Sequence, residues 1–158
     1  MPTPPVIDYR GGFDFDVTPG ELWSSVEDAE QFESWWPWLR EFSLEGGKVR
    51  SGAVMHGVVV PPLPYRMLVE VELMECRRPV AIDAVVRGDL EGSASLRIRR
   101  RGSHGCTVEA TWSLEMTQRA MRLASRFAHP LLRWGHDRVV ESTVRSFRRH
   151  LEPTPSPT

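Results

Sequence analysis

From residue 40 to about residue 118 the chain alternates apolar and polar residues with period two, and over about 33 residues before its tail it changes to three- and four-residue steps. Few architectures satisfy both patterns. Strands with one apolar face need a cover, and the terminal helical segment is the longest amphipathic stretch left to supply it. Tyr65, Met67, Val69, Val71 and Leu73 alternate with Arg66, Leu68, Glu70 and Glu72. Ile82, Ala84 and Val86 likewise oppose Asp83, Val85 and Arg87; Ala94, Leu96 and Ile98 oppose Ser93, Ser95, Arg97 and Arg99. Val108, Ala110, Trp112, Leu114 and Met116 alternate with Thr107, Glu109, Thr111, Ser113 and Glu115. Gly- and Pro-containing breaks at Glu45–Lys48, Pro61–Pro64, Arg78-Pro79, Gly88–Gly92 and Arg101–Gly105 fall where turns are needed. Short strands joined by short turns predict an antiparallel meander with one buried face.

Ahead of the meander, Phe13, Phe15 and Val17 alternate with Asp14 and Asp16, which predicts a half-buried strand over residues 6–17. Thr18-Pro19-Gly20-Glu21 then starts a helix, with a Thr cap, Pro in the first turn and Glu three residues after the cap. Leu22, Trp23 and Val26 give that helix its apolar face, and a second short helical or turn segment runs from Ala29 to Leu39, closed by Pro37. In the terminal segment Ala124, Phe127, Ala128, Leu131, Leu132, Gly135, Val139, Thr143, Phe147 and Leu151 share helical spacing, with arginines on the other faces. Pro130 is expected to kink or divide this helix, because the preceding turn loses a hydrogen bond and meets the ring.

At 158 residues the chain is one domain with enough core to fold without disulfides or a structural metal. Twenty Lys plus Arg against 21 Asp plus Glu gives a formal charge of -1, which argues against nucleic acid and against an anionic membrane as partners. The N-terminus lacks a basic region followed by an apolar run, and no stretch has the apolar length to span a bilayer, so the expected location is cytoplasmic, without stable membrane insertion. Cys76 and Cys106 lack any CxxC pairing and suit a reducing compartment. Lys48 is the sole lysine, asparagine is absent and isoleucine occurs only at 7, 82 and 98, a bias expected of a GC-rich bacterial genome.

The order strand, two short helices, about six further antiparallel strands and a long terminal helix resembles the START-like helix-grip fold. Within that SRPBCC, or Bet v 1-like, superfamily the likeness is to the polyketide cyclase/dehydrase and lipid-transport group. Phe15-x-x-Thr18-Pro19-x-x-Leu22-Trp23 and Glu33-Ser-Trp-Trp-Pro-Trp38 carry the resemblance. It implies an α+β fold: a curved antiparallel sheet of about seven strands wrapped around a long C-terminal helix, with two short helices after the first strand. It places a single domain at residues 8–151, an N-terminal extension at 1–7 and a Pro-rich disordered tail at 152–158. Members include cyclases, aromatases, lipid carriers and receptors, so the fold alone selects no ligand.

The first functional reading is a binding module, a mostly apolar cavity between sheet and helix holding a lipid, isoprenoid or polyketide-like molecule. Met67, Val69, Ile82, Ala84, Leu96, Trp112, Leu114, Phe127, Leu131 and Gly135 would line it, with Trp35 and Trp36 near the mouth or, alternatively, plugging one end of the sheet. The second reading is a cyclase, aromatase or dehydratase in which His136, His56 or Tyr65 moves a proton, without metal or nucleotide cofactor. His136 lies on or beside the buried helix stripe and needs a partner, whether as a structural or a catalytic histidine. His56 is ambiguous: it faces inward with Val54, Val58 and Val60, or faces water if Ala53, Met55 and Val59 turn inward. A filled interior is the third reading. No Gly-x-Ser-x-Gly, His-Glu-x-x-His or Gly-rich phosphate loop is present, and no metal site or cofactor is expected. Arg97–Arg101 is expected to be a solvated hairpin tip, with docking on acidic headgroups or an acyl carrier protein as the alternative; the expected assembly is a monomer or homodimer.

Overall fold

A computed structural model describes residues 6–63, 65–117 and 129–151. Its strands are β1 (Val6–Phe15), β2 (Leu39–Leu44), β3 (Val54–Val59), β4 (Met67–Arg77), β5 (Ala81–Gly88), β6 (Leu90–Arg101) and β7 (Gly105–Met116). The helices are α1 (Pro19–Glu27), α2 (Phe32–Trp35), introduced by a 3-10 turn at Ala29–Gln31, and α3 (His129–Leu151). Thr18 caps α1 as its sequence implies, its hydroxyl accepting the Glu21 amide at 3.2 Å.

All seven strands form one curved antiparallel sheet in the order β1-β7-β6-β5-β4-β3-β2. From β2 to β7 each strand pairs with the next in sequence, while β1 pairs with β7, Val6 opposite Glu115 and Phe15 opposite Cys106. Both ends of the sheet are therefore edges, β1 on one side and β2 on the other. Irregularities in the β2–β3 register between Arg40 and Ser43, and in β4–β5 between Leu73 and Glu75, shift the alternation. The second of these brings Cys76, rather than residue 75, onto the core.

The inner face, toward α3, carries the apolar alternation. Near the β1–α1 end, Phe15, Leu22, Trp23, Leu73, Ile82, Ile98, Cys106 and Val108 form a buried core, against which Val144, Phe147 and Leu151 of α3 pack. At the opposite end Met67, Val86, Leu90 and Met116 form a second core, closed by Leu132. Between them, Val69, Val71, Leu96, Trp112 and Leu114 keep partial accessibility even though they point the same way. Asp89, 6% exposed in the β5–β6 turn, ties this second end together: its carboxylate accepts the Leu68 amide at 2.8 Å and its carbonyl accepts the Thr117 amide at 3.1 Å.

One expectation about the helix changes. Leu131 is 39% exposed, and Leu132 takes the inward position, because the face that meets the sheet runs through Leu132, His136, Thr143 and Phe147. Phe127, Ala124 and Ala128 lie outside the described residues, as does the turn before Pro130 on which a kink would act.

Candidate functional site

The densest polar–aromatic cluster on the inner face joins β1, β7 and α3. Tyr9 and Trp112 are direct cross-strand partners, and their rings stack with centroids 4.4 Å apart. Gly11 makes this possible, since a Cβ there would collide with the Tyr9 hydroxyl; the ring lies along the strand over that gap. The Trp112 indole Nε1–H donates to His136 Nε2 at 3.2 Å, and the edge of His136 faces Tyr9 at 5.4 Å. An Nε2 that accepts carries no proton, so the neutral imidazole bears its hydrogen on Nδ1, 3.0 Å from Asp137 Oδ1. Asp137 is also 3.7 Å from Arg133 Nε. His136 itself is 13% exposed, and its ring is held from both sides. Burial pushes the Tyr9 hydroxyl above the ordinary tyrosine value, the Asp137 charge adds to that, and Arg133 opposes it.

Tyr65 precedes β4 and packs against the second core, where burial also raises its pKa. His56 is on the other side of the sheet. Its β4 partner is Glu70, while Met55 and Val59 point inward, so the alternation turns His56 outward. It is 41% exposed and pairs with Glu45 at 3.0 Å and Glu70 at 3.8 Å. The sheet separates it from His136, and it has no place in a site on the inner face.

The sheet residues expected to line a cavity, Met67, Val69, Ile82, Ala84, Leu96, Trp112 and Leu114, share the inner face. Gly135 is buried by a close approach instead: a Cβ there would lie 2.8 Å from Leu63 Cδ1 in the β3–β4 loop. Trp35 and Trp36 close the β2 end against α3. Trp35 packs on Phe147 and His150, with centroids 5.9 and 4.2 Å away, and Trp36 donates its indole N–H to the Thr143 carbonyl at 3.2 Å. The basic run at the β6–β7 hairpin is partly neutralised, Arg99 pairing with Glu109 at 3.3 Å and Arg101 with Asp16 at 3.0 Å. Cys106 is fully buried, burial raises the Cys76 thiol pKa, and neither is in a disulfide. Among the described residues no group of three His, Cys, Asp or Glu side chains is placed to hold a metal ion, and no helix is long and apolar enough to cross a membrane.

Two members of the cluster escaped the sequence reading. Tyr9 extends the Phe13/Phe15 alternation backward by four residues, but Arg10-Gly11-Gly12 interrupts the apolar pattern that would have placed it inward. Asp137 follows His136 directly, and neighbours on a helix do not ordinarily face each other, so spacing gave no signal for the pair.

A curved seven-stranded antiparallel sheet gripping one long helix, with a polar–aromatic cluster on the gripped face, defines a START-like protein of the helix-grip class. The family described as polyketide cyclase / dehydrase and lipid transport matches residues 8–152, and the chain belongs to it. No curated protein matches the sequence. Three solved structures share the fold. Truncated norcoclaurine synthase from Thalictrum flavum is 9% identical, with TM-score 0.66 over 98% of both chains. A conserved protein from Geobacillus kaustophilus is 10% identical, with TM-score 0.73 over 92% of this chain and 95% of that one. A START superfamily protein from Mycobacterium smegmatis is 11% identical, with TM-score 0.69 over 92% and 97%.

Proposed function

We propose that the protein binds a hydrophobic small molecule, of lipid, isoprenoid or polyketide-like character, between the inner face of the sheet and α3. The observation that carries this reading is the partial accessibility of the middle of the inner face. Val69, Leu96, Trp112 and Leu114 face the helix yet stay partly accessible, whereas the ends of the same face are buried. A close-packed interior would bury its centre first. Apolar walls with few polar groups suit a carrier, and membership of a family that includes lipid transport supports the same class. Met67, Ile82 and Ala84 complete the wall, Trp112 supplies its largest aromatic surface, and Trp35 and Trp36 close the β2 end. We place such a carrier in the cytoplasm, as a monomer or homodimer.

Native mass spectrometry of the purified protein, followed by solvent extraction, tests this. A defined apolar adduct is expected, and substitution of Leu96 by Trp should displace it while the fold is retained. A fully apo mass, together with no binding of an apolar dye that wild-type and Leu96→Trp protein distinguish, would refute the reading.

One observation favours acid/base turnover as a second reading. Asp137 and Trp112 hold the imidazole of His136 in a single tautomer next to Tyr9, the kind of orientation a proton-transferring histidine needs. The Nε2 lone pair is occupied by the Trp112 N–H, so His136 accepts a substrate proton there only if a ligand displaces that bond. Tyr65, packed on the second core with Leu132, would be the second group.

A further inference from the structure

A concavity lies along the open edge of β1. It is a groove of about 770 Å3 between that strand and the flank of α3, with Tyr9 and Phe13 on one wall and Val140 and Val144 on the other. That volume is in the range of small-molecule sites.

The charges on its rim do not balance. Asp137 is taken by His136 Nδ1 at 3.0 Å and by Arg133 at 3.7 Å, and Glu141 by Arg138 at 3.5 Å. Arg148 donates to the Asp14 carbonyl at 2.9 Å and lies over the Phe15 ring at 5.2 Å. Arg145 and Arg149, one helical turn apart on the same rim, have no acidic partner within ion-pair distance among the described residues. The C-terminal end of α3 opposes an anion with about half a negative charge, against which two guanidiniums prevail.

We infer that this groove binds an amphipathic anion, an apolar chain or ring system laid along Phe13, Val140 and Val144 and ending in a carboxylate held by Arg145 and Arg149. Two planar guanidiniums match a carboxylate through paired N–H···O bonds, and the apolar walls supply the remaining contact. The groove borders the inner face, sharing Tyr9 and Asp137 with its cluster, but Arg145 and Arg149 lie on the exposed rim beside the β1 edge.

Calorimetric titration with octanoate and with octanol, which shares its chain and lacks its charge, tests the inference. Octanoate is expected to bind at least about tenfold more tightly, with an affinity that falls as salt rises. In the Arg145→Ala/Arg149→Ala variant, a change of exposed side chains that leaves the core intact, octanoate should drop to the level of octanol while octanol is unchanged. Val140→Trp should weaken both. Equal affinity of the two ligands for the wild type, octanoate binding indifferent to the arginine pair, or binding of neither would overturn the inference. Octanoate binding unchanged in the arginine variant, with an apolar adduct still present, would leave the inner-face reading standing while this one fails; loss of octanoate binding there in a protein whose purified mass is apo would do the reverse.

Discussion

The hydrogen bond from Trp112 to His136 is the polar tie between the last strand and the long helix, and its worth is measurable. Removing only the acceptor, as in His136→Leu, leaves an indole N–H without its partner and should cost about 1 kcal/mol in denaturant unfolding. Adding Trp112→Phe should recover part of that, giving a coupling energy of about 0.5–1.5 kcal/mol in a double-mutant cycle. A coupling near zero would mean that water serves the indole equally well. Tyr9, stacked on the same indole, gives a pH signature. Its pKa is raised above the ordinary 10.0, so above that value the folded chain holds a proton that the unfolded chain releases. Its contribution is complete below about pH 10 and is lost as pH rises through the elevated native value. Tyr9→Phe should flatten this alkaline fall in stability, with Tyr65, also raised, accounting for what remains. At this scale the sequence was only partly legible. Trp112 and His136 announced themselves by parity and spacing, whereas their partners were hidden, Tyr9 behind two glycines and Asp137 beside the histidine it orients.

Elements were more legible, because a strand with one wet face must alternate and a helix across a sheet must repeat. The alternation of β4 as far as Leu73, and of β5 to β7, follows the residues directly, and the Thr18-Pro19 helix start appears where its capping chemistry demands. Phase along the long helix was harder. Leu131 and Leu132 are equally apolar neighbours, and only docking against Met67 and Met116 decides which one turns inward. His56 posed the same problem on a strand where both registers are apolar, and pairing with Glu70 resolved it. Gly135 shows how α3 meets the β3–β4 loop. A single Cβ would press only on the flexible end of Leu63, so Gly135→Ala should be tolerated or mildly stabilising, helped by about 1 kcal/mol of helix propensity. Gly135→Leu should cost about 1–3 kcal/mol by overpacking, and Leu63→Ala should rescue it. Rescue would place the contact at that loop; unchanged stability in Gly135→Leu would show spare volume beneath the helix.

Across the whole molecule, the meander is local but its closure is not. Six strands pair with their sequence neighbours, while β1 pairs with β7, and Thr107 Oγ1 reaches Asp14 Oδ1 at 2.6 Å across 93 residues of chain. Chains whose contacts span such separations fold slowly, because the loop must close before the pairing stabilises anything. On a ribosome β1 emerges before β7 and lacks that partner until Gly105–Met116 has followed it out, so an apolar ribbon that includes Phe13 and Phe15 waits while the intervening strands are made. Substitutions in β1 should therefore change unfolding rates more than folding rates, the mark of a strand that docks after the transition state. For a cell making this protein, the hazard lies in the interval before the two ends of the sheet meet, when a chaperone or a neighbouring nascent chain competes with β7 for the same strand.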